Sequence, residues 1–146
     1  MNLELTRRYR FSASHRLYSD ELSEEQNRAT FGKCANPYGH GHDYVVEVTV
    51  RGPLDQETGR VIDLDVMDGL VQSAVVAPME HANLNTDIAE FERLVPTTEN
   101  LALVVKERLD RHLTDRAASK GFGRTSIARI RIEETKRNFF AVGSVE

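Results

Sequence analysis

A pair of histidines two residues apart is the first chemical signal in the 146-residue sequence. His40 and His42 leave the same face of the chain if a strand runs through them, so both imidazoles can reach one ion. Cys34 lies six residues before the pair, and His15 lies on an earlier segment. Because a single histidine on an apolar face is more often a packed core residue than a ligand, the pair alone is weak evidence for a metal.

Strand alternation predicts that a third histidine joins the pair. Residues 3–15 alternate between apolar and polar, with His15 on the apolar side and Arg7 as the interruption, and residues 40–50 place both histidines on their apolar side. If these strands pair antiparallel, the three imidazoles meet at one end of the sheet. Three imidazoles with an open fourth position predict a catalytic zinc site, and a single cysteine excludes a thiolate-rich structural one.

Cys34 and the adjacent residues Glu80 and His81 offer acid–base chemistry. Cys34 follows Lys33 among turn residues, where a nearby cation or metal would lower the thiol pKa, so a catalytic thiolate is predicted in place of a buried hydrophobe. Glu80 and His81 could form a pair in which a carboxylate orients an imidazole that relays a proton. Solvated surface is the default interpretation of such a polar loop.

Glu134 ends the apolar face of residues 128–134, where a buried carboxylate must find a partner. It could pair with an arginine of a neighbouring strand. It could instead accept the two parallel donors at the edge of a pterin or a guanine. His112, on the polar or boundary side of a helix, is predicted to be structural.

Two amphipathic helices follow the paired strands in the predicted order of elements. The first begins at Asp63 or Asp65 and ends near Pro78, and the second begins after the cap Thr97 and runs to about Ala118. Smaller features are expected as well: a helical turn at 23–28, strands at 60–62 and 128–134, and a helix stop at Lys120 and Gly121.

Length and composition indicate one soluble domain spanning residues 1–146. The net charge of −4 comes from well-mixed acidic and basic residues, so no basic stripe suits a nucleic acid. One cysteine excludes an internal disulfide, and no apolar run reaches the length of a membrane span. With no signal-peptide pattern at the start, the expected location is the cytoplasm.

The chain closely resembles the signatures of the 6-pyruvoyl-tetrahydropterin synthases. The likeness runs in order over nearly the whole sequence and rests on residues 11–17, 31–42, 78–85, 96–100 and 134–135. The related 6-carboxy-tetrahydropterin synthases of queuosine biosynthesis share the zinc histidines but usually have the cysteine closer to the His-Gly-His sequence. The six-residue step from Cys34 to His40 therefore favours the pyruvoyl type.

The resemblance implies an α+β tunnelling fold (T-fold) and an oligomer. In this fold, two antiparallel helices pack on one face of a four-stranded antiparallel sheet. Three subunits close a twelve-stranded barrel, and two such trimers stack into a homohexamer.

The resemblance also implies a role for each candidate residue. It implies that His15, His40 and His42 bind zinc and that Cys34 is the general base. His81, supplied by the neighbouring subunit, would relay protons, with Glu80 as the acid that orients it. Glu134 would anchor the pterin ring, and Thr97 and Thr98 would contact the pterin edge. The family usually has Asp before the relay histidine, so Glu80 shifts the carboxylate by about one ångström or more.

The reaction implied is that of a lyase acting on a pterin substrate. It converts 7,8-dihydroneopterin triphosphate to 6-pyruvoyl-tetrahydropterin with loss of triphosphate, using zinc as a Lewis acid and no nicotinamide. Arg16 and Lys33 could neutralise the triphosphate or lie on solvated surface. The alternative functions are 6-carboxy-tetrahydropterin synthesis and a non-catalytic pterin- or metal-binding oligomer.

Overall fold

A five-stranded sheet positions the candidate site residues. The computed structural model describes the backbone of residues 1–120 and 124–144 and the side chains of 1–113 and 124–144. The strands are β1 (Asn2–His15), β2 (His40–Pro53), β3 (Ala82–Asn83), β4 (Ser126–Glu133) and β5 (Phe139–Gly143). Their order is β3-β1-β2-β4-β5; β1, β2, β4 and β5 are antiparallel neighbours, and β3 pairs with β1 in parallel over two residues.

Four antiparallel strands match the expected sheet, but one of them was predicted in the wrong place. Residues 60–62 were expected to be a strand, and the fourth strand is β5 instead. The backbone N–H of Asp55 donates to the carbonyl of Arg60, which closes a turn, and Asp63 already caps the next helix. Ile62 is buried because this short connection packs into the core, which explains its apolar pattern without a strand.

The helices lie on one face of the sheet. They are α1 (Glu24–Phe31), α2 (Leu64–Val71), α3 (Ala77–Met79), α4 (Leu84–Asp87) and α5 (Thr98–Lys120), with a π-helical turn at Gln72–Val76 and 3-10 turns at Gly32–Ala35 and Ala89–Glu92. The caps act as predicted for the two long helical segments: Asp63 accepts two backbone N–H groups of α2, and Thr97 accepts that of Asn100. The predicted stop at Gly121 lies outside the described residues.

The helical segment that begins with α2 continues one residue beyond Pro78, to Met79. A proline has no N–H, so Pro78 cannot donate to the carbonyl of Ala74 four residues earlier. The guanidinium of Arg108 on α5 donates to that carbonyl at 3.2 Å, while its other nitrogens bind the carboxylate of Glu90. The side chain of α5 thus replaces the hydrogen bond that proline removes.

The core lies between the sheet and the two long helical segments. The predicted stripe of α5 is buried throughout, and the α5 helix packs on β4, β5 and α2. Arg7, the charged interruption on the apolar side of β1, forms two hydrogen bonds with Asp68 of α2, which also accepts one from the hydroxyl of Tyr9. Within residues 1–120 and 124–144, none of the helices combines the length and the apolar character needed to cross a bilayer.

Candidate active site

The antiparallel register of β1 and β2 brings the three histidines together. His15 lies directly opposite His40, and Ala13 lies opposite His42. The ring centroids of His15, His40 and His42 are 4.5–5.0 Å apart. These three residues are called the histidine cluster below. Their convergence at one end of the sheet is the arrangement that strand alternation predicted.

Gly39 allows β2 to start directly beside the end of β1. Its φ of +65° is a left-handed conformation that side chains disfavour, and a Cβ there would lie 2.5 Å from the carbonyl oxygen of His15. Any larger residue would therefore push His40 away from His15. Glycine is the residue that permits this close approach.

Burial and one backbone contact prepare His15 as a ligand. The ring is 1% exposed, and its Nδ1–H donates to the carbonyl of Pro96 at 2.9 Å, so the Nε2 lone pair faces the cluster. Burial lowers the pKa of His15, and burial likewise lowers the pKa of His42 against the opposing charge of Glu134. Burial therefore favours the neutral form of both imidazoles, which is the form that binds metals.

The donor atoms fit a metal ion. The Nε2 atoms of His15 and His42 are buried and have no hydrogen-bond partner within the described residues. Two groups of three residues could each hold a metal ion, because the ligand atoms within each group all lie within 4.8 Å of one another. One group is His15, Cys34 and His40, and the other is His15, His42 and Glu134. Imidazole, thiolate and carboxylate are the donors that zinc prefers. His15 is common to both groups, so a metal at this end of the sheet would contact it in either arrangement.

Cys34 lies on the 3-10 turn Gly32–Ala35, with its Sγ 3.0 Å from Nε2 of His40. Burial, and after it the charge of Glu134, raises the pKa of the Cys34 thiol. The neighbouring Lys33 is exposed and does not offset these effects. A thiolate at this position would therefore need additional positive charge nearby, such as that of a metal ion held by the histidine cluster.

Glu134 joins the cluster just beyond the end of β4. Its Oε1 lies 3.0 Å from Nε2 of His42 and 3.8 Å from Nε2 of His15, while its Oε2 accepts a 2.8 Å hydrogen bond from the hydroxyl of Thr98. Thr97 and Thr98, which the resemblance places together at the pterin edge, therefore have different partners in the structure. Thr98 orients the carboxylate, whereas the hydroxyl of Thr97 caps α5.

Glu80 and His81 form the predicted contact with each other at the β1 edge of the sheet. Oε1 of Glu80 lies 3.0 Å from Nε2 of His81 and also accepts the backbone N–H of Ser12 at 3.3 Å. His81 has a φ of +58°, donates its own N–H to the carbonyl of Ser12, and leaves its side chain 83% exposed. An imidazole held in this way is directed outward from the chain that carries it.

Sequence reasoning missed two groups that shape the site. The carbonyl of Pro96 orients His15, but a backbone acceptor leaves no trace in residue type. Gly39 could have been recognised, since a glycine directly before a histidine strand, after Asn36 and Pro37, is typical of a tight approach.

Comparisons with known proteins agree with this geometry. The family model described as 6-pyruvoyl tetrahydropterin synthase matches residues 4–144. A human 6-pyruvoyl tetrahydrobiopterin synthase is 46% identical over 110 residues, covering 75% of this chain and 76% of the human protein. The enzyme of the same name from Poecilia reticulata is 43% identical over 134 residues, covering 92% of this chain and 85% of that protein.

A solved structure supports the same assignment at the level of the fold. The 6-pyruvoyl tetrahydropterin synthase of Caenorhabditis elegans superposes with a TM-score of 0.87 at 35% sequence identity, over 99% of this chain and 97% of that one. The architecture described above is therefore the T-fold of these enzymes, and the relatives of high identity favour the pyruvoyl type. The chain belongs to the 6-pyruvoyl tetrahydropterin synthase family, and it is a lyase of this kind.

Proposed function

We propose that the chain converts 7,8-dihydroneopterin triphosphate to 6-pyruvoyl-tetrahydropterin with elimination of triphosphate, in a zinc-dependent reaction. The observation that supports this most directly is the meeting of the histidine cluster with Cys34 and Glu134 at one end of the sheet. The names of the relatives agree with the same reaction.

The histidine cluster holds the zinc ion in this proposal. The buried Nε2 atoms of His15 and His42 support that assignment, because neither forms a hydrogen bond within the described residues, although Oε1 of Glu134 lies 3.0 Å from that of His42. Buried polar atoms without hydrogen bonds are costly unless a ligand satisfies them. A zinc ion bound there would act as a Lewis acid toward the hydroxyls of the substrate side chain. Cys34 and Glu134 reach the cluster from outside the two histidine strands. In this proposal they do not bind zinc and instead act on the substrate.

Each remaining residue has a distinct task in the proposed reaction. Glu134, with one oxygen oriented by Thr98, accepts the parallel donors at the pterin edge. Cys34, as thiolate, removes the proton from the side-chain carbon next to a hydroxyl, and His81 returns a proton while Glu80 orients its ring. Elimination of triphosphate converts one hydroxyl-bearing carbon of the side chain to a carbonyl and leaves a terminal methyl group. The other hydroxyl-bearing carbon is oxidised to a carbonyl as its two electrons reduce the C6–N5 bond of the pterin, so the redox change stays within the substrate and needs no nicotinamide.

The product assay is the experiment that tests the proposal. Zinc-loaded protein is supplied with 7,8-dihydroneopterin triphosphate and with sepiapterin, and the products are identified by mass. We expect 6-pyruvoyl-tetrahydropterin from the triphosphate. A main product of 6-carboxy-tetrahydropterin would instead establish the alternative synthase of deazapurine biosynthesis.

Two controls separate catalysis from mere binding. Cys34→Ala is expected to retain zinc, measured by elemental analysis, and to lose turnover. Removing the metal with a chelator should abolish turnover, and zinc should restore it. Unchanged turnover in the cysteine variant would refute thiolate catalysis, whereas a wild-type protein that binds pterin without turnover would indicate a non-catalytic pterin-binding oligomer.

A further inference from the structure

Arg16, the residue after His15, uses its hydrogen-bonding groups inside the chain. Its backbone N–H donates to Oδ1 of Asn85 at 2.7 Å, and its carbonyl accepts from Nδ2 of the same side chain at 2.8 Å. Its Nε–H donates to the carbonyl of Ala35 at 3.0 Å, and the guanidinium lies 4.2 Å from the ring centre of Tyr18. These contacts distinguish Arg16 from a solvated surface arginine.

The turn that carries Cys34 is held by two consecutive residues. Arg16 binds the carbonyl of Ala35 through its side chain, and Leu17 binds the carbonyl of Cys34 through its backbone N–H at 2.7 Å. Because both residues directly follow His15, they join the cysteine turn to the strand end that carries the most buried histidine. The distance between the thiol and the cluster therefore depends on this connection.

Asn85 connects the same point to the segment that follows His81. It lies in α4, directly after β3, whose residues pair with Ala13 and Ser14 of β1. An asparagine side chain can donate and accept at once, and Asn85 uses both groups on the backbone of Arg16. The Arg16–Asn85 contact is therefore the place where the histidine strand, the cysteine turn and the His81 segment meet.

We propose that Arg16 and Asn85 are positioning residues that hold the Cys34 turn against the histidine end of β1. The role rests on the proposed function, because it concerns the placement of the catalytic thiol. It differs from neutralisation of the substrate's triphosphate, since the group used is Nε–H on a backbone carbonyl, and Asn85 is uncharged.

The experiment compares Arg16→Met, Asn85→Ala and their double variant with the wild type, with Arg60→Met as the control at an exposed arginine outside the site. We expect kcat to fall by about tenfold to a hundredfold in each single variant, as for a misplaced reacting group, with KM changed by less than about threefold. Zinc should stay at about one ion per chain. The double variant should be little worse than either single variant, because both act on one connection.

Thiol alkylation provides a readout that does not require turnover. Cys34 is the only cysteine in the sequence, so the rate of reaction with iodoacetamide at one fixed pH reports on it alone. Release of the half-buried turn should raise this rate by about threefold or more in both variants and leave it unchanged in the control. If the wild type has no turnover, the proposed function fails, while the alkylation rates still test the positioning role.

Unchanged alkylation rates in folded variants would overturn the proposal. A raised KM with unchanged kcat in Arg16→Met would overturn it too, and would assign the charge to the substrate's phosphates. If Arg16→Met melts at a much lower temperature by circular dichroism, Arg16→Lys replaces it, because lysine keeps the charge near Tyr18 but has no Nε–H at the same position. Wild-type kcat and alkylation in Arg16→Lys would also count against the role.

Discussion

Cys34 is a residue whose chemistry depends on its neighbours. In the zinc-free protein, burial and the Glu134 carboxylate both disfavour the thiolate, so the alkylation rate should rise with pH around a midpoint above the ordinary pKa of a thiol. Zinc should move that midpoint to lower pH, because a cation favours the charged form. The measurement is the rate of iodoacetamide reaction from about pH 6 to pH 10, with and without zinc.

Glu134→Gln is the matched variant for this prediction. It removes the nearby negative charge while keeping the size of the side chain, so the midpoint of zinc-free alkylation should move down. If the midpoint of alkylation in the zinc-free wild type lay at or below the ordinary thiol pKa, burial and Glu134 would not be disfavouring the Cys34 thiolate as described.

The length of the Glu80 side chain determines which groups its carboxylate can contact. Its Oε1 reaches both the ring of His81 and the backbone N–H of Ser12. Aspartate, the usual family residue, is shorter and would give up one of these contacts in this chain. We therefore expect Glu80→Asp to lower kcat by about threefold to tenfold, and Glu80→Gln by more.

The comparison needs an exposed glutamate as its control. Glu57 lies in the turn after β2, and Glu57→Asp should leave kcat unchanged. If the kcat of Glu80→Asp instead equalled that of the wild type, the contact with Ser12 would have no role in catalysis, and a higher kcat would make the extra methylene a handicap.

Side-chain periodicity was sufficient to predict the histidine cluster, because His15 and the pair in β2 lie on apolar faces whose register places them at one end of the sheet. It could not reveal that the hydroxyl of Thr98 orients Glu134 while that of Thr97 caps a helix. Adjacent residues of one type differ in role only when the backbone directs them to different partners. The orientation of His15 by a carbonyl was hidden for a related reason, since every residue has one.

At the scale of elements, the long periodic segments were predicted correctly, and the helical turn expected at 23–28 corresponds to the start of α1. The errors concern short strands: residues 60–62 form none, and β3 and β5 were not predicted. β1, β2 and α5 each repeat their pattern over several turns or pleats. β5 has five residues, with alternating exposed and half-buried positions, and β3 has two. Periodicity over so few residues is weak, and the apolar residues 60–62 imitated a strand because a loop packs there.

Thr97 and Thr98 provide the prediction that belongs to the start of α5. Thr97→Ala should lower the free energy of unfolding by about 1 kcal/mol through loss of the cap, with kcat and KM close to those of the wild type. Thr98→Val should raise KM, because Glu134 loses the hydroxyl that orients its Oε2. The measurements are urea unfolding and steady-state kinetics on both variants. A raised KM in Thr97→Ala would instead indicate that Thr97 contacts the pterin edge, as the resemblance implies.

At the scale of the whole molecule, the sheet has two edges that favour assembly. In the described chain, β3 covers only the last part of the outer edge of β1, and β5 forms the opposite edge. Open edges are aggregation hazards unless they are covered or paired, and closing sheets into a barrel removes them. The exposed His81 is directed away from its own chain, which suits a site completed by a neighbour. The number of subunits comes from the resemblance, which implies a homohexamer. We propose this assembly, whose six chains of 16.5 kDa would give a mass of about 99 kDa by light scattering.

Mixed hexamers would test whether His81 serves the neighbouring subunit. Cys34→Ala and His81→Ala are each expected to be inactive, since one lacks the base and the other lacks the relay. If each site takes Cys34 from one chain and His81 from another, random co-assembly of the two variants should restore about a quarter of the wild-type sites. The variants would be co-expressed with different tags, purified through both tags and assayed together with each homohexamer. If both groups of a site came from one chain, every site in the mixture would lack one of them, and no activity would return.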